Sequence, residues 1–254
     1  MPHIYNAPNL PSIKHAFFGR TGGYSKGIYD SLNFNYRGSD SPDNLKRNLD
    51  VVGAYYGLSG SRIVRLKQAH TSVAVYLDHP SQYQIEADGV VTDKPNVILG
   101  ITTADCIPVL LADYQHGIIG AAHAGWRGAL GGVIENTIKI MLEHGAELKD
   151  IAAATGPCLQ KQNFETHDDM RDLFIAQSSD NAQFFEPIGA GKYLCDLEQY
   201  VKHRLKLLGI TDISLSGIDT YSDDKHYFSY RRFCHLNLIK QPGDFGIELS
   251  TICL

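Results

Sequence analysis

The sequence predicts a single domain of the α+β or mixed α/β class. Predicted strands outnumber predicted helices, and short turns join several of the strands. The chain has 254 residues, which is enough to bury a sizeable core, and mixed α/β chains of this length often form one domain. No repeat, low-complexity tract or linker rich in glycine, serine or proline divides it. We therefore expect residues 1–254 to form one domain.

Short runs of apolar residues bounded by turns are typical of buried strands. The predicted strands, in chain order, are 61–66, 73–77, 97–101, 108–112, 117–122, 151–155, 213–218 and the closing strand 245–254. His70 lies between the first and second of these, Cys106 lies between the third and fourth, and His123 directly follows the fifth. Three side chains that can do chemistry are thus expected at the ends of strands, which are rigid supports.

Four helices are predicted, at 41–57, from just past Gly128 to Gly145, at roughly 164–178 and at about 196–208. In the first, Pro42 lies in the first turn and Gly57 ends the helix. In the second, apolar residues recur at spacings of three and four, and in the fourth they share one face. The second helix is expected to begin beside His123.

Charge and composition make nucleic acid and membrane poor partners. The net charge is -5 and the charged residues, 20% of the chain, form no basic stripe of the kind that attracts duplex nucleic acid. The N-terminus lacks the pattern of a signal peptide, and no stretch of about 18 apolar residues occurs. Five cysteines without a CxxC pair fit reduced thiols. We expect a cytoplasmic protein. Because its net charge is negative, any phosphate that it binds must be held by local cations and backbone N–H groups.

His70, Cys106 and His123 are the candidate metal ligands. Two imidazoles and one thiolate form a donor set that suits zinc and leaves a fourth tetrahedral position open. Their separations along the chain match no local zinc pattern. From the residues alone, a small buried cysteine and two hydrogen-bonded histidines remain an alternative.

Eight short motifs give this chain a resemblance to a known family, the laccase-domain (YfiH-like) proteins. These motifs lie at 18–23, 31–33, 68–70, 87–89, 103–108, 123–128, 156–157 and 227–232, and they span nearly the whole chain. The most specific are Ala-Asp-Cys at 104–106 and His-Ala-Gly-Trp-Arg-Gly at 123–128. The chain departs from the family at 233–246, where an Asp-Gly-x-Thr-Gly-Arg turn usually follows.

The family was once catalogued as polyphenol oxidases and is now described as purine nucleoside phosphorylases. The resemblance implies helices layered around two packed mixed sheets. It also implies cleavage of adenosine, inosine or guanosine, and of methylthioadenosine as a further candidate, by phosphate, with adenosine deamination as a side activity. It supports His70, Cys106 and His123 as metal-binding and catalytic residues, with zinc or else copper as the ion. It further implies that Arg20 and Asn33 line the substrate pocket.

Two other arginines are candidate substrate-binding residues. Arg127 lies in a glycine-flanked turn before a helix, where backbone N–H groups and a guanidinium can bind an anion. The alternative is a tight connection with a solvated Arg127. Arg231 lies in an aromatic segment that could stack a base and bind phosphate, or it could be a structural ion-pair partner. Asp88 and Asp105 are candidate acceptors for a ligating imidazole, or turn caps.

Other functions fit parts of the pattern. Two histidines and a cysteine also describe a blue-copper centre, so a copper-dependent phenol oxidase is an alternative. Oxidation by several coppers needs many histidine ligands, commonly in His-x-His pairs, and the eleven histidines of this chain form no such pair. A cysteine hydrolase that uses Cys106 and His123 is another. A metal-stabilised binding module is the non-enzyme alternative. For the enzyme we expect a monomer that acts on purine nucleosides and phosphate.

Overall fold

The computed structural model describes residues 1–78 and 85–254 and confirms the α+β class. Its strands are β1 (Ile4–Tyr5), β2 (Lys14–Phe18), β3 (Ile63–Arg65), β4 (Ala74–Tyr76), β5 (Gly89–Thr92), β6 (Ile98–Thr103), β7 (Ile107–Asp113), β8 (Ile118–Ala124), β9 (Ile151–Thr155), β10 (Glu165–His167), β11 (Phe185–Gly189), β12 (Lys192–Cys195), β13 (Asp212–Ser214) and β14 (Glu248–Cys253). Its α-helices are α1 (Pro42–Tyr56), α2 (Trp126–Gly131), α3 (Val133–Glu143), α4 (Asp168–Gln177), α5 (Leu197–Leu207) and α6 (Tyr230–His235).

Two mixed sheets form the centre of the fold. One has five strands in the order β1-β2-β14-β6-β3, and the other has six in the order β13-β9-β7-β8-β5-β4. Side chains from both, such as Phe17 and Leu99 from the first and Leu110 and Ile119 from the second, share one buried cluster. The two sheets therefore pack face to face, as the resemblance implies.

Helices cover the outer faces of both sheets. Ile134 and Met141 of α3 pack with Val109 of the six-stranded sheet, while Val52 of α1 packs with Phe18 of the five-stranded sheet. This layering puts β6, β7 and β8 in the interior. Strands that are buried on both faces have near-continuous apolar sequences, as these three do. The loops at the ends of these strands are therefore held by a rigid core.

Several predicted boundaries were wrong. The predicted second helix begins earlier, at Trp126, and is broken at Gly132, whose φ of 94° lies in the left-handed region that glycine adopts readily. The predicted helix at 164–178 is helical only from Asp168, because residues 165–167 pair with β12 in a third, three-stranded sheet. The predicted strands at 213–218 and 245–254 are shorter than expected.

No helix in the described part of the chain combines the length and the apolar character that crossing a membrane requires.

Candidate metal centre

His70 lies in the loop between β3 and β4 and is exposed. Its φ of 60° places it in the left-handed region, which is uncommon for a residue other than glycine. The loop is held there by the buried carboxylate of Asp88, which accepts hydrogen bonds from the backbone N–H groups of Ala69, His70 and Thr71 and from the Thr71 hydroxyl. One carboxylate thus fixes the backbone that carries His70.

Cys106 is the last residue before β7, in the turn that joins it to β6. The preceding residue, Asp105, has a φ of 83°. Its carboxylate accepts hydrogen bonds from the Thr220 hydroxyl at 2.7 Å and the Arg231 backbone N–H at 2.6 Å. Thr220 and Arg231, both from the C-terminal part of the chain, therefore fix the turn that carries the thiol of Cys106.

His123 is buried on β8, paired with Pro108 of β7. Its Nδ1 lies 2.7 Å from Oδ1 of Asp88, and its backbone N–H donates to the Asp88 carbonyl. Because Nδ1 donates to the carboxylate, Nε2 is the ring nitrogen that remains to bind a metal ion. Asp88 therefore orients both the ring of His123 and the loop of His70, which is the role predicted for it as an imidazole acceptor.

The three side chains converge although they are far apart in sequence. Their ligand atoms all lie within 4.8 Å of one another, with Sγ of Cys106 3.7 Å from Nε2 of His70 and the two imidazole centroids 4.8 Å apart. Within residues 1–78 and 85–254 no other group of three or more such side chains could hold a metal ion. A thiolate and two imidazoles fit a zinc or copper ion, so the residues present suit the metal that the resemblance implies.

Gly125 makes this close approach possible. A Cβ atom at this position would lie 2.8 Å from Cδ2 of His70 and 3.0 Å from Sγ of Cys106. Any larger residue would push these two ligands away from their present positions.

The electrostatics of the cluster favour a thiolate. Burial opposes ionisation of Cys106, but the charge and hydrogen bonds of His123 and His70 outweigh it and lower the thiol pKa to about 6. Burial likewise opposes protonation of His123, yet Cys106 and Asp88 raise its pKa to about 9. The thiolate is the form that binds metals and acts as a nucleophile.

The cluster opens onto a cavity of about 450 Å³, which is within the usual range for small-molecule sites. Its lining includes the aromatic side chains of Phe34, Tyr230 and Phe245, and the ring centroids of Tyr230 and Phe245 are 4.9 Å apart. Arg37 and Gln68 are among its polar lining residues. No aspartate or glutamate is among the described residues that line it.

The predicted substrate-binding residues are not among those that line this cavity. Arg20 donates to the carbonyls of Asp30 and Asp224 and lines a separate cavity. Asn33 is fully buried, where its amide donates to Asp40 and its Oδ1 accepts two backbone N–H groups. Its role here is to hold the loop that leads to the cavity.

Arg127 and Arg231 also point elsewhere. Arg127 is exposed and stacks on Trp126 at 4.2 Å. Arg231 donates to the carbonyls of Asn163 and Glu165, so its guanidinium bridges segments of the chain. Among the described residues, no imidazole donates to Asp105; its carboxylate accepts from Thr220 and Arg231 instead, so of the two alternatives it is the turn-capping one that the structure supports.

Sequence reasoning missed several residues that line the cavity. Arg37, Tyr36 and Phe34 come from the loop before α1, and Phe245 comes from the segment where the chain departs from the family pattern. The amide of Asn35 joins the loop before α1 to the segment that carries Phe245, since its Nδ2 donates at 2.7 Å to the carbonyls of both Gly243 and Phe245. The asparagine-rich stretch at 33–35 was the one available signal, because a buried amide often fixes loops.

Residues 14–252 match the family model described as multi-copper polyphenol oxidoreductase laccase. A protein of Deinococcus radiodurans named purine nucleoside phosphorylase is 36% identical over 90% of this chain and 87% of its own. A protein of Rickettsia conorii with the same name is 34% identical over 96% of this chain and 97% of its own. A crystal structure of a Neisseria meningitidis protein, 33% identical, superimposes with a TM-score of 0.88 and covers 100% of this chain and 98% of that one.

Proposed function

This chain belongs to the family described as multi-copper polyphenol oxidoreductase laccase, and from that premise we propose that it is a purine nucleoside phosphorylase. The names of its relatives support the general activity. We further propose that His70, Cys106 and His123 hold a zinc ion and form the catalytic centre, and that adenosine, inosine and guanosine are substrates, with methylthioadenosine as a further candidate. The enzyme is proposed to act as a cytoplasmic monomer, without nucleic acid or membrane partners.

The observation that carries this proposal is the placement of the cluster at a nucleoside-sized cavity. The described residues that line that cavity include several aromatic side chains, which suit a flat purine, together with an arginine and no carboxylate. A phosphate and a nucleoside can therefore be held together beside the cluster. Holding two reactants in one geometry can supply a large part of a catalytic acceleration.

The chain's own residues orient and shield the reaction. In phosphorolysis a phosphate oxygen bonds to C1′ of the ribose, and the bond from C1′ to the purine nitrogen breaks with its electron pair passing to the base. Asp88 holds His123 in one tautomer, the histidines favour the Cys106 thiolate, and the apolar walls limit water that would hydrolyse the sugar cation. His70, Cys106 and His123 would hold a zinc ion, which would supply Lewis-acid stabilisation of the negative charge.

Inosine incubated with the zinc-loaded protein is expected to give hypoxanthine and ribose 1-phosphate only when phosphate is present. Chromatography of the products with and without phosphate measures this directly. Treatment with a chelator is expected to stop the reaction, and zinc to restore it. Hypoxanthine release at the same rate without phosphate would identify a hydrolase instead, and no release under either condition would identify a binding protein.

Adenosine deamination is proposed as a side activity of the same centre. Adenosine in the absence of phosphate would then yield inosine. The usual zinc-deaminase signature, a His-x-Glu with a Pro-Cys-x-x-Cys, does not occur in the sequence, so this activity would use a site of independent design.

A cysteine hydrolase is the second candidate, and the lowered pKa of Cys106 beside His123 favours it. Such an enzyme would be inactivated by thiol alkylation and would be indifferent to chelation. Phenol oxidation by several coppers has less support, because the described residues contain a single three-ligand group.

A further inference from the structure

Arg37 is a cation without a charged partner at the edge of the cavity. Among the described residues, no aspartate or glutamate lies within 4.0 Å of its guanidinium, and none lines the cavity. The chain as a whole is negative, with a net charge of -5. An arginine without a carboxylate partner, at a site whose described lining residues include no carboxylate, is the charge pattern of an anion-binding site.

The position of Arg37 is fixed relative to the metal ligands. Its backbone N–H donates to Oδ1 of Asn35 at 3.0 Å, and its Nη2 donates to the backbone carbonyl of Gln68 at 2.9 Å. The Gln68 side chain is itself fastened to Thr102 of β6 by three hydrogen bonds of 2.7–2.8 Å. Gln68 is two residues before His70, and β6 leads into the turn of Cys106. The guanidinium is therefore anchored to both loops that carry ligands.

Most of the donors of Arg37 are free to meet a ligand. A guanidinium has five N–H donors, and its one side-chain hydrogen bond within the described residues is the bond to Gln68. Arg65 adds a second positive charge nearby, since both guanidinia lie 5.5 Å from the ring of Tyr36. Arg65 likewise has no carboxylate partner in the described part of the chain, and it donates to the Phe34 carbonyl.

We propose that Arg37 binds the phosphate co-substrate, with its free N–H groups donating to two phosphate oxygens. This assignment rests on the proposed function, because the ligand is taken to be the phosphate that attacks the nucleoside. The same chemistry would also suit the 5′-phosphate of a nucleotide, so the experiment treats the two sources separately. A planar, permanently charged guanidinium matches a phosphate edge better than an ammonium does.

The Arg37→Gln variant is expected to raise KM for phosphate by roughly tenfold to a hundredfold, the usual range for loss of a hydrogen bond to a charged group. KM for inosine is expected to change by less than about twofold, because the contacts proposed for Arg37 are to phosphate oxygens and not to the nucleoside. Arg37→Lys should recover part of the phosphate affinity. Arg62→Gln is the matched control, since Arg62 is also exposed but does not line the cavity. Zinc content is expected to be unchanged in all three.

Calorimetric titration of the zinc-loaded protein with inorganic phosphate, without any nucleoside, separates this inference from the proposed function. Binding by the wild type and its loss in Arg37→Gln would support the inference even if no base were released. Equal phosphate binding by both proteins, or parallel increases of both KM values, would overturn it. Binding of inosine 5′-monophosphate but not of inorganic phosphate would assign Arg37 to a nucleotide and would also overturn it.

Discussion

Replacing Cys106 with alanine is expected to remove the bound metal ion and to lower the rate of inosine phosphorolysis by about a thousandfold or more. A Lewis acid contributes several kcal/mol of transition-state stabilisation, and each 1.36 kcal/mol corresponds to about a factor of ten in rate. The thiolate is the one anionic donor among the three ligands, and the two neutral imidazoles that remain bind zinc weakly. Zinc analysis and the steady-state rate measure the effect.

The Cys106→Ala variant is expected to fold, because Cys106 is only partly buried and lies in a turn rather than in the core. Circular dichroism and thermal unfolding of the apo proteins check this. Cys234→Ala is the matched control, since Cys234 is an exposed thiol that does not line the cavity. A Cys106→Ala protein with normal zinc content and a normal rate would remove the metal from the mechanism.

Replacing Asp88 with asparagine is expected to weaken zinc binding by roughly tenfold to a hundredfold, which is the usual cost of losing a partner that orients a ligand. The buried carboxylate accepts hydrogen bonds from the His70 loop and from Nδ1 of His123, so one substitution loosens two ligands. An amide presents an NH₂ group where the native oxygen accepts a hydrogen bond. Competition with a zinc chelator of known affinity gives the change.

Asp113→Asn is the matched control for this substitution. Asp113 is also fully buried, and it accepts hydrogen bonds from Nδ1 of His116 and from two backbone N–H groups, but it lies outside the site. Both variants are expected to lose free energy of unfolding, and only Asp88→Asn is expected to lose zinc affinity. Equal zinc affinities in the two would contradict the role given to Asp88.

The same carboxylate makes part of the stability depend on pH. Burial opposes ionisation of Asp88, but hydrogen bonds from His123 and Thr71 outweigh it and lower the pKa from 3.8 to about 2. Because the folded-state pKa is depressed, this stabilisation is fully present above about pH 4 and is lost as the pH falls toward 2. The difference in unfolding free energy between wild-type apoprotein and Asp88→Asn should shrink over that interval.

The metal side of the site could be predicted from the sequence. Cys106 and His123 lie beside apolar runs that form the buried strands β6, β7 and β8, whose ends are placed by the core, while His70 lies between the shorter strands β3 and β4. The resemblance strengthened the metal interpretation of the three residues, which the positions of the predicted strands had already suggested. The helix α1 was predicted closely for a similar reason, because its proline and its terminal glycine are local signals.

The rest of the cavity lining could not be predicted, because it is made by loops that meet only in the folded chain. Arg37 and Phe245 are about two hundred residues apart, and the Asn35 amide that joins their segments has no periodic pattern around it. Phe245 also lies in the segment where the family pattern ends. The arginines suggested by motif, Arg20 and Arg231, instead donate to backbone carbonyls. Strands of three residues, such as β10, are too short for periodicity to detect.

X-ray absorption spectroscopy of the purified protein, recorded at the edge of its bound metal, is the sharpest test of whether His70, Cys106 and His123 bind one ion together. We expect about one ion per chain, with one sulfur near 2.3 Å and two imidazole nitrogens near 2.0–2.1 Å if the ion is zinc. A bound ion without sulfur in its coordination shell, or with the same spectrum in Cys106→Ala, would show that these three residues do not form the metal site.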